Sequence, residues 1–151
     1  MDLATVIVSY NVRDLTLGCI ASVEEAMLHD GLDGGIWVVD NASADGSAAA
    51  VQMGFPQVAL IASGRNLGFA GGANLGLQAA LYYYAATVAG AAAQDGARVA
   101  AAHGGGGLAA GTAAAWSALD QSHGSLSNYD VTGSVGAGGP SMTVTGETLS
   151  V

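Results

Sequence analysis

The first half of the chain alternates between two kinds of hydrophobic pattern. Continuous apolar runs of strand length occur three times, at Ala4–Ser9, Ile36–Val39 and Val58–Ala62. Runs that are rich in β-branched residues and bounded by polar segments are typical of strands buried on both faces of a sheet. Helix-like segments separate these runs, and a third helix is predicted from about Ala73. This order predicts an α/β fold with a parallel sheet and right-handed crossover connections.

The first helix-like segment has an apolar residue at every fourth position, at Leu15, Cys19, Val23 and Met27. This spacing predicts one helix face packed against the sheet, with Cys19 as a core residue rather than a reactive thiol. Residues of the three strands are expected to complete the core, namely Val6, Ile7, Val8, Val38, Val39, Leu60 and Ile61.

A different composition begins after Leu81. From Ala79 to Ala115 the chain consists mainly of alanine and glycine, and the helical pattern is predicted to dissolve beyond Tyr84. Such residues bury little apolar area, which does not offset a backbone ordering cost of roughly 1–2 kcal/mol per residue. We therefore divide the chain into an α/β half-domain, residues 1–81, and an Ala/Gly-rich low-complexity extension, residues 82–151.

The extension has two interpretations. Its composition favours a disordered or unselected segment, such as the product of a frame shift or a fusion. The alternative is a compact C-terminal domain. Near the end of the chain, the alternating stretches 141–145 and 148–151 flank Gly146 and Glu147 and predict a C-terminal hairpin.

The acidic charge of the chain argues against polyanionic partners such as nucleic acids and anionic lipid surfaces. The net charge is −9, with only three basic residues. A protein that grips a nucleic-acid backbone or an anionic lipid surface needs a basic face, and none can be assembled here. We therefore expect no nucleic acid and no membrane association among the partners.

Two features bear on the compartment. A single cysteine cannot form an internal disulfide, so a reducing compartment, the cytoplasm, is the simplest expectation. The uncharged segment from Asn66 to Gln94 is long enough to cross a bilayer, but its amides and glycines favour a soluble or loosely peripheral chain.

Polar clusters follow each of the predicted strands. They are Ser9-Tyr10-Asn11, Asp40-Asn41 and Arg65-Asn66. Because ligands of parallel sheets bind beyond the carboxyl ends of the strands, these clusters are predicted to line one crevice. The alternative interpretation is turn and cap chemistry at Asp40-Asn41, a solvated Arg65 and a Tyr10 that packs at the edge of the core.

The same clusters belong to longer motifs. These read V-I-V-S-Y-N at 6–11, V-V-D-N-A-S-A-D-G-S at 38–47 and R-N-L-G-F-A-G-G-A-N-L-G at 65–76. In this order and spacing they resemble the nucleotide-binding front half of family 2 glycosyltransferases of the GT-A fold, most closely the rhamnosyltransferase-like members. The resemblance implies a Rossmann-like domain that takes a glycosyl group from a nucleotide-diphosphate sugar and passes it to an acceptor hydroxyl.

The resemblance also implies roles for particular residues. Asp40 is expected to accept a hydrogen bond from the ring N–H of the base, and a carboxylate suits the N–H of a uracil or thymine edge. Arg65 is the cation expected to offset the diphosphate charge. The full nucleotide-binding set is Ser9, Tyr10, Asn11, Asp40, Asn41, Arg65, Asn66, Gly68 and Asn74. At Ala73-Asn74 the chain departs from the pair of asparagines that the family often has.

The second half of the family's catalytic centre is not found in the sequence. The family implies a divalent metal, Mg or Mn, held by an Asp-x-Asp motif, whereas Asp95 lies near the expected distance without a second carboxylate. No general base is identified either, so the catalytic residues stay unassigned and no metal-ligand set is predicted. Three functions remain open: a glycosyltransferase, a nucleotide-binding remnant or scaffold that lacks the metal motif, and a structural Ala/Gly-rich protein.

Overall fold

The computed structural model describes residues 2–102, 107–120, 126–136 and 139–148. The elements in chain order are β1 (Leu3–Ser9), α1 (Arg13–Asp30), β2 (Gly34–Asp40), α2 (Ser47–Gly54), β3 (Ala59–Ala62), α3 (Gly68–Ala102), α4 (Gly107–Asp120), β4 (Leu126–Gly136) and β5 (Gly139–Thr148). They form two compact units, and the division falls within α3, between Ala80 and Leu81. We call these the first unit and the second unit.

The first unit contains a three-stranded sheet in the order β1-β2-β3. Both pairings are parallel, with Ile7 opposite Val38 and Val38 opposite Leu60. The predicted parallel α/β architecture is therefore confirmed. The sequence placed β2 from Ile36 to Val39, and the strand extends beyond both of these ends.

The core of the first unit lies on both faces of this sheet. On one face, Ile20 of α1 and Val51 of α2 pack with Val38 in a buried cluster. On the other face, α3 approaches β1 closely, since a Cβ placed on Gly72 would lie 2.8 Å from Cγ1 of Val8. Glycine at this position is what permits the helix to lie so near the strand.

The central strand buries its side chains more completely than its neighbours. Val38 and Val39 are fully buried, as predicted. The other predicted core residues are half-buried, namely Val6, Ile7, Val8, Leu60 and Ile61. They lie on β1 and β3, which are the outer strands of the three-stranded sheet, so each lacks a neighbouring strand on one side.

The prediction of which face of α1 is buried was wrong for the first half of the helix. Leu15 is 74% exposed and Cys19 is exposed, whereas Thr16 and Ile20 are buried. At 3.6 residues per turn, every four-residue step turns a side chain by about 40° around the axis. A stripe of fourth positions therefore winds off the buried face, and Cys19 is not a core residue.

The second unit contains the rest of α3, together with α4 and a two-stranded sheet. The helix continues to Ala102 instead of losing its pattern beyond Tyr84, because alanine favours helix without any apolar periodicity. A buried cluster joins Ala85 and Ala92 of α3 with Ala115 and Leu119 of α4 and with Val131 of β4. Whether residues 82–151 are an unselected extension stays a prediction.

The C-terminal hairpin differs in position from the predicted one. β4 pairs with β5 in antiparallel orientation, from Leu126 opposite Thr148 to Gly136 opposite Gly139. Gly146 and Glu147, the predicted turn, lie inside β5. The sequence between Gly136 and Pro140 is richer in glycine and proline, which makes it the stronger turn signal.

The described part of the chain includes no helix that is long and apolar enough to cross a membrane. The uncharged stretch from Asn66 to Gln94 forms part of α3 and of the turn before it.

Candidate functional site

The carboxyl ends of β1, β2 and β3 meet at one edge of the sheet. Ser9 lies opposite Asp40 in the register, and Asp40 lies opposite Ala62. The backbone continues this pairing past the strands, since Asn41 N donates to Ser9 O at 2.8 Å and Ser63 N donates to Asp40 O at 2.9 Å. The three polar clusters of the sequence therefore lie at neighbouring strand ends.

Two loops at this edge are joined by reciprocal hydrogen bonds. Asn11 N donates to Ser43 Oγ at 2.9 Å, and Ala44 N donates to Asn11 Oδ1 at 2.8 Å. Asn11 and Ala42 both have positive φ, 53° and 65°. A left-handed backbone costs on the order of 1–3 kcal/mol in a non-glycine residue and persists only where its surroundings fix it. Asn11 thus fixes the loop with its carboxamide oxygen.

Asp45 extends this junction to the first turns of two helices. Its Oδ2 accepts from Arg13 N at 2.9 Å, and its Oδ1 accepts from Ser47 N at 3.0 Å and Ser47 Oγ at 2.5 Å. The bond from Ser47 Oγ, followed by the bond from Arg13 N, lowers the pKa of Asp45 below its ordinary value of 3.8. The sequence analysis did not identify Asp45 as a site residue, because its bond to Arg13 spans 32 positions of the chain.

The carboxylate of Asp40 is buried, and only one of its two oxygens is bonded to a described residue. The residue is 4% exposed, and its Oδ2 accepts from Ser43 N at 3.1 Å. Its Oδ1 is buried and has no hydrogen-bond partner among the described residues. A buried polar atom without a partner costs about 1–3 kcal/mol, and charged groups cost more. A donor brought by a ligand would remove this cost, which makes Asp40 the centre of the candidate site.

Two other predicted residues have their side chains bonded within the fold. The Ser9 and Thr16 hydroxyl oxygens lie 2.7 Å apart, and both residues are buried. Asn41, also buried, donates from Nδ2 to Asn66 Oδ1 at 2.9 Å and to Gly68 O at 3.1 Å. These side chains stabilise the edge of the sheet and the turn before α3.

The remaining predicted residues are exposed. Tyr10 follows β1, Arg65 lies in the turn before α3, and Asn74 lies in the second turn of α3. Arg13 and Arg98 each pair with a carboxylate, whereas Arg65 forms no ion pair with any described residue. Among the described residues at this edge, its guanidinium is therefore a cation that no carboxylate neutralises. Gly68 begins α3 with a φ of 72°, a left-handed conformation that favours glycine.

A depression of about 360 Å³ lies beside these loops. Its walls come from the start of α1 and from the loop before α2, namely Asn11, Val12, Arg13, Asp14, Leu15 and Asp45. The ion pair between Arg13 Nε and Asp14 Oδ1, 2.9 Å long, leaves the carboxylate of Asp45 as the net charge of this lining.

The residues that the structure describes offer no ligand set for a divalent metal. In the part of the chain that the structure describes, no group of three or more His, Cys, Asp or Glu side chains could hold an ion. Asp95 lies inside α3 and pairs with Arg98 Nη2 at 2.5 Å. An arginine three residues away neutralises this carboxylate, so the structure gives no support to Asp95 as a metal ligand.

A family model described as "Glycosyl transferase family 2" matches residues 5–88, which is more than half of the chain and includes the three motifs. No curated protein and no solved structure matches the chain.

Proposed function

The chain belongs to glycosyl transferase family 2, and we propose that its first unit binds the nucleoside diphosphate of an activated sugar at the carboxyl ends of β1, β2 and β3. Glycosyl transfer is the general activity that the family indicates. The observation that carries the proposal is Asp40 Oδ1, which is buried without a partner among the described residues. The partners we expect are a nucleotide-diphosphate sugar and an acceptor that carries a hydroxyl group.

The base is the part of the donor that Asp40 can recognise. Uracil and thymine carry an N–H between two carbonyls, and this N–H can donate to Asp40 Oδ1. Cytosine has an unprotonated nitrogen at the same ring position, which would face the carboxylate with a lone pair. The site therefore favours uridine or thymidine diphosphates over cytidine diphosphate, since pairing an acceptor with a buried acceptor leaves both unsatisfied.

Arg65 supports the diphosphate part of the proposal. The turn that contains it leads directly into α3, whose first N–H groups have no partner within the helix. A guanidinium and a helix N-terminus are both favourable for phosphate oxygens. Tyr10, which is half exposed, offers an aromatic face near the base.

The second candidate function is a nucleotide-binding remnant or scaffold, and the surroundings of Asp95 favour it. Asp95 pairs with Arg98, and the described residues include no group of carboxylates suited to a metal. Within the described residues, the chain fits a nucleotide-binding remnant or scaffold as well as it fits a complete enzyme. We derive no catalytic step through a metal, and we assign no general base.

Calorimetry tests the proposal directly. Uridine and thymidine diphosphates should bind the full chain, and cytidine diphosphate should bind about tenfold more weakly or worse. Asp40→Asn should weaken uridine diphosphate binding by a similar factor, because the amide presents a donor or a weaker acceptor to the base. Glu25→Gln, the same chemical change at an exposed position of α1, is the matched control.

The outcomes separate the two functions. Binding together with transfer of a sugar to an acceptor, with or without Mn²⁺, supports the enzyme. Binding that is independent of metal and is not followed by transfer supports the remnant. Absence of binding for all three nucleotides, with no difference between the wild type and Asp40→Asn, contradicts the proposal.

A further inference from the structure

Asn41 differs from its neighbour Asp40 in where its side chain is engaged. It is 3% exposed and follows β2 directly. Its side-chain hydrogen bonds to described residues lead to residues 63–68, which are the turn between β3 and α3 and the first residue of α3. Its Nδ2 donates to Asn66 Oδ1 at 2.9 Å and to Gly68 O at 3.1 Å, and its Oδ1 accepts from Leu67 N at 2.8 Å. Ser63 Oγ lies 3.4 Å from the same oxygen and donates its proton to Arg65 O at 2.7 Å.

These bonds engage both ends of the carboxamide. An asparagine side chain has two N–H donors and one oxygen, and here both donors and the oxygen have partners. The orientation of the amide is also fixed, because Leu67 N can only donate and Gly68 O can only accept. A flipped amide would place N–H against N–H. Both N–H donors of Asn41 are already used, and the residue is too deeply buried to present its oxygen to a nucleotide.

The side chain of Asn66, in contrast, is bonded to described residues only through its amide oxygen. Its Oδ1 accepts from both Asn41 Nδ2 and Gly68 N, which fixes the side chain. Its Nδ2 has no acceptor among the described residues, and the residue is exposed. The turn thus holds Asn66 by the oxygen of its amide and leaves the nitrogen without an acceptor among the described residues; its neighbour in the chain is Arg65, whose guanidinium forms no ion pair with any described residue.

We propose that Asn41 is a positioning residue, which holds the turn 63–68 in place so that Arg65 and Asn66 can contact the nucleotide, and that it does not contact the nucleotide itself. This proposal rests on the proposed function only where nucleotide binding is concerned. The order that Asn41 imposes on the turn exists in the free protein and can be measured there.

The change Asn41→Asp tests the proposal with almost no change in shape. A carboxylate offers only acceptors, so it faces Asn66 Oδ1 and Gly68 O without a donor. It also places a second buried negative charge beside Asp40. Gln52→Glu makes the same amide-to-carboxylate change at an exposed position of α2 and serves as the control.

Amide hydrogen exchange of the free protein gives the first measurement. In the wild type, Leu67 N–H should be protected although it precedes α3, because Asn41 Oδ1 accepts from it. In Asn41→Asp, exchange at Leu67 and Gly68 should be about tenfold faster or more, while exchange within β2 stays near that of the wild type. An unprotected Leu67 in the wild type overturns the proposal even where the variant does not fold.

Affinity for uridine diphosphate gives the second measurement. Asn41→Asp should weaken binding about tenfold or more, and adding Asn66→Ala to it should weaken binding by less than about threefold further, since both changes act through one turn. Independent, additive losses, or lost affinity with unchanged exchange at Leu67, would mean that Asn41 contacts the nucleotide directly. If the wild type does not bind at all, the proposed function fails while the exchange measurement still decides the role of Asn41.

Discussion

The two units of this protein bury different kinds of side chain. In the first unit the buried positions are branched aliphatic residues such as Ile20, Val38 and Val51, and polar residues such as Asp40 and Asn41 are buried beside them. In the second unit the buried cluster is mainly alanine, with Leu119 and Val131 as its larger members. Among the residues whose burial the structure describes, the second unit contains no buried polar side chain.

This difference distinguishes the candidate site of the first unit from the alanine-rich cluster of the second unit. Burying a polar group has a cost unless it is bonded, so buried polar residues persist where their bonds or their ligands repay that cost. Both N–H groups and the oxygen of the Asn41 side chain are bonded, whereas one oxygen of Asp40 has no partner among the described residues. A cluster of alanine side chains does not have the cost of burying polar groups, and it has no polar side-chain atoms that could bind a ligand. It also gains little, because each alanine removes a small apolar area from water.

The largest expected effect is a difference in local stability between the units. Amides of Ala92 and Ala100 in α3 should exchange about a hundredfold faster than those of Val38 and Val39 in β2, because alanine contacts offset less of the ordering cost. Exchange measured by NMR on the full chain checks this. Equal protection in the two regions would show a compact C-terminal domain and would end the hypothesis of an unselected extension.

The tryptophans allow the same comparison by a second method. Trp37 lies in β2 and Trp116 in α4, so a Trp116→Phe variant reports on the first unit and a Trp37→Phe variant on the second. In urea, fluorescence of Trp116 should change at a lower midpoint than that of Trp37. Coincident transitions would instead mean that the units unfold together.

Two glycines of α3 should respond to alanine in opposite directions. At Gly72 the added Cβ would lie 2.8 Å from Val8 Cγ1, so Gly72→Ala should destabilise the first unit by about 1–3 kcal/mol. At Gly90 no atom lies within 4 Å of the added Cβ in the part of the chain that the structure describes. Gly90→Ala should therefore stabilise α3 by about 1 kcal/mol through helix propensity. Urea midpoints of the two variants measure both effects.

Gly18 provides the control for this pair. It lies within α1, in the first unit, and no described atom lies within 4 Å of its added Cβ. If Gly18→Ala destabilises the protein as much as Gly72→Ala does, the contact with Val8 is not the cause.

The smallest expected effect concerns the pH dependence of the first unit. Hydrogen bonds from Ser47 and Arg13 lower the pKa of Asp45 below its ordinary 3.8. A carboxyl whose pKa is lower in the folded state contributes stability above its unfolded pKa and loses it as the pH falls through the folded value. Asp45→Asn should therefore flatten the acid limb of the stability curve below about pH 4, measured by Trp37 fluorescence in urea.

The neighbouring exposed pair gives a check on this assignment. Asp14→Asn removes a carboxylate that is bonded to the Arg13 side chain rather than to the first backbone N–H of α1. If the acid limb flattens in Asp14→Asn but not in Asp45→Asn, the pH effect belongs to Asp14 and the assignment to Asp45 is wrong.

The sequence by itself determined the strands and their polar ends. β-branched runs and turn residues act within a few positions, so β1, β2 and β3 could be located within a few residues and the parallel sheet predicted. The same local signals placed Asp40, Asn41 and Arg65 at the strand ends, and the three motifs pointed to the family that the comparison then matched.

Only the tertiary structure decided what each polar residue does at that edge. Asn41 and Asp40 are adjacent, yet one is bonded to a turn 25 to 27 positions away and the other has an oxygen without a described partner. Asp45 meets Arg13 across 32 positions. Packing also exposed Cys19, which the four-residue spacing had assigned to the core. Contacts between distant segments decide these outcomes, and no local pattern encodes which side chain a remote backbone group will reach.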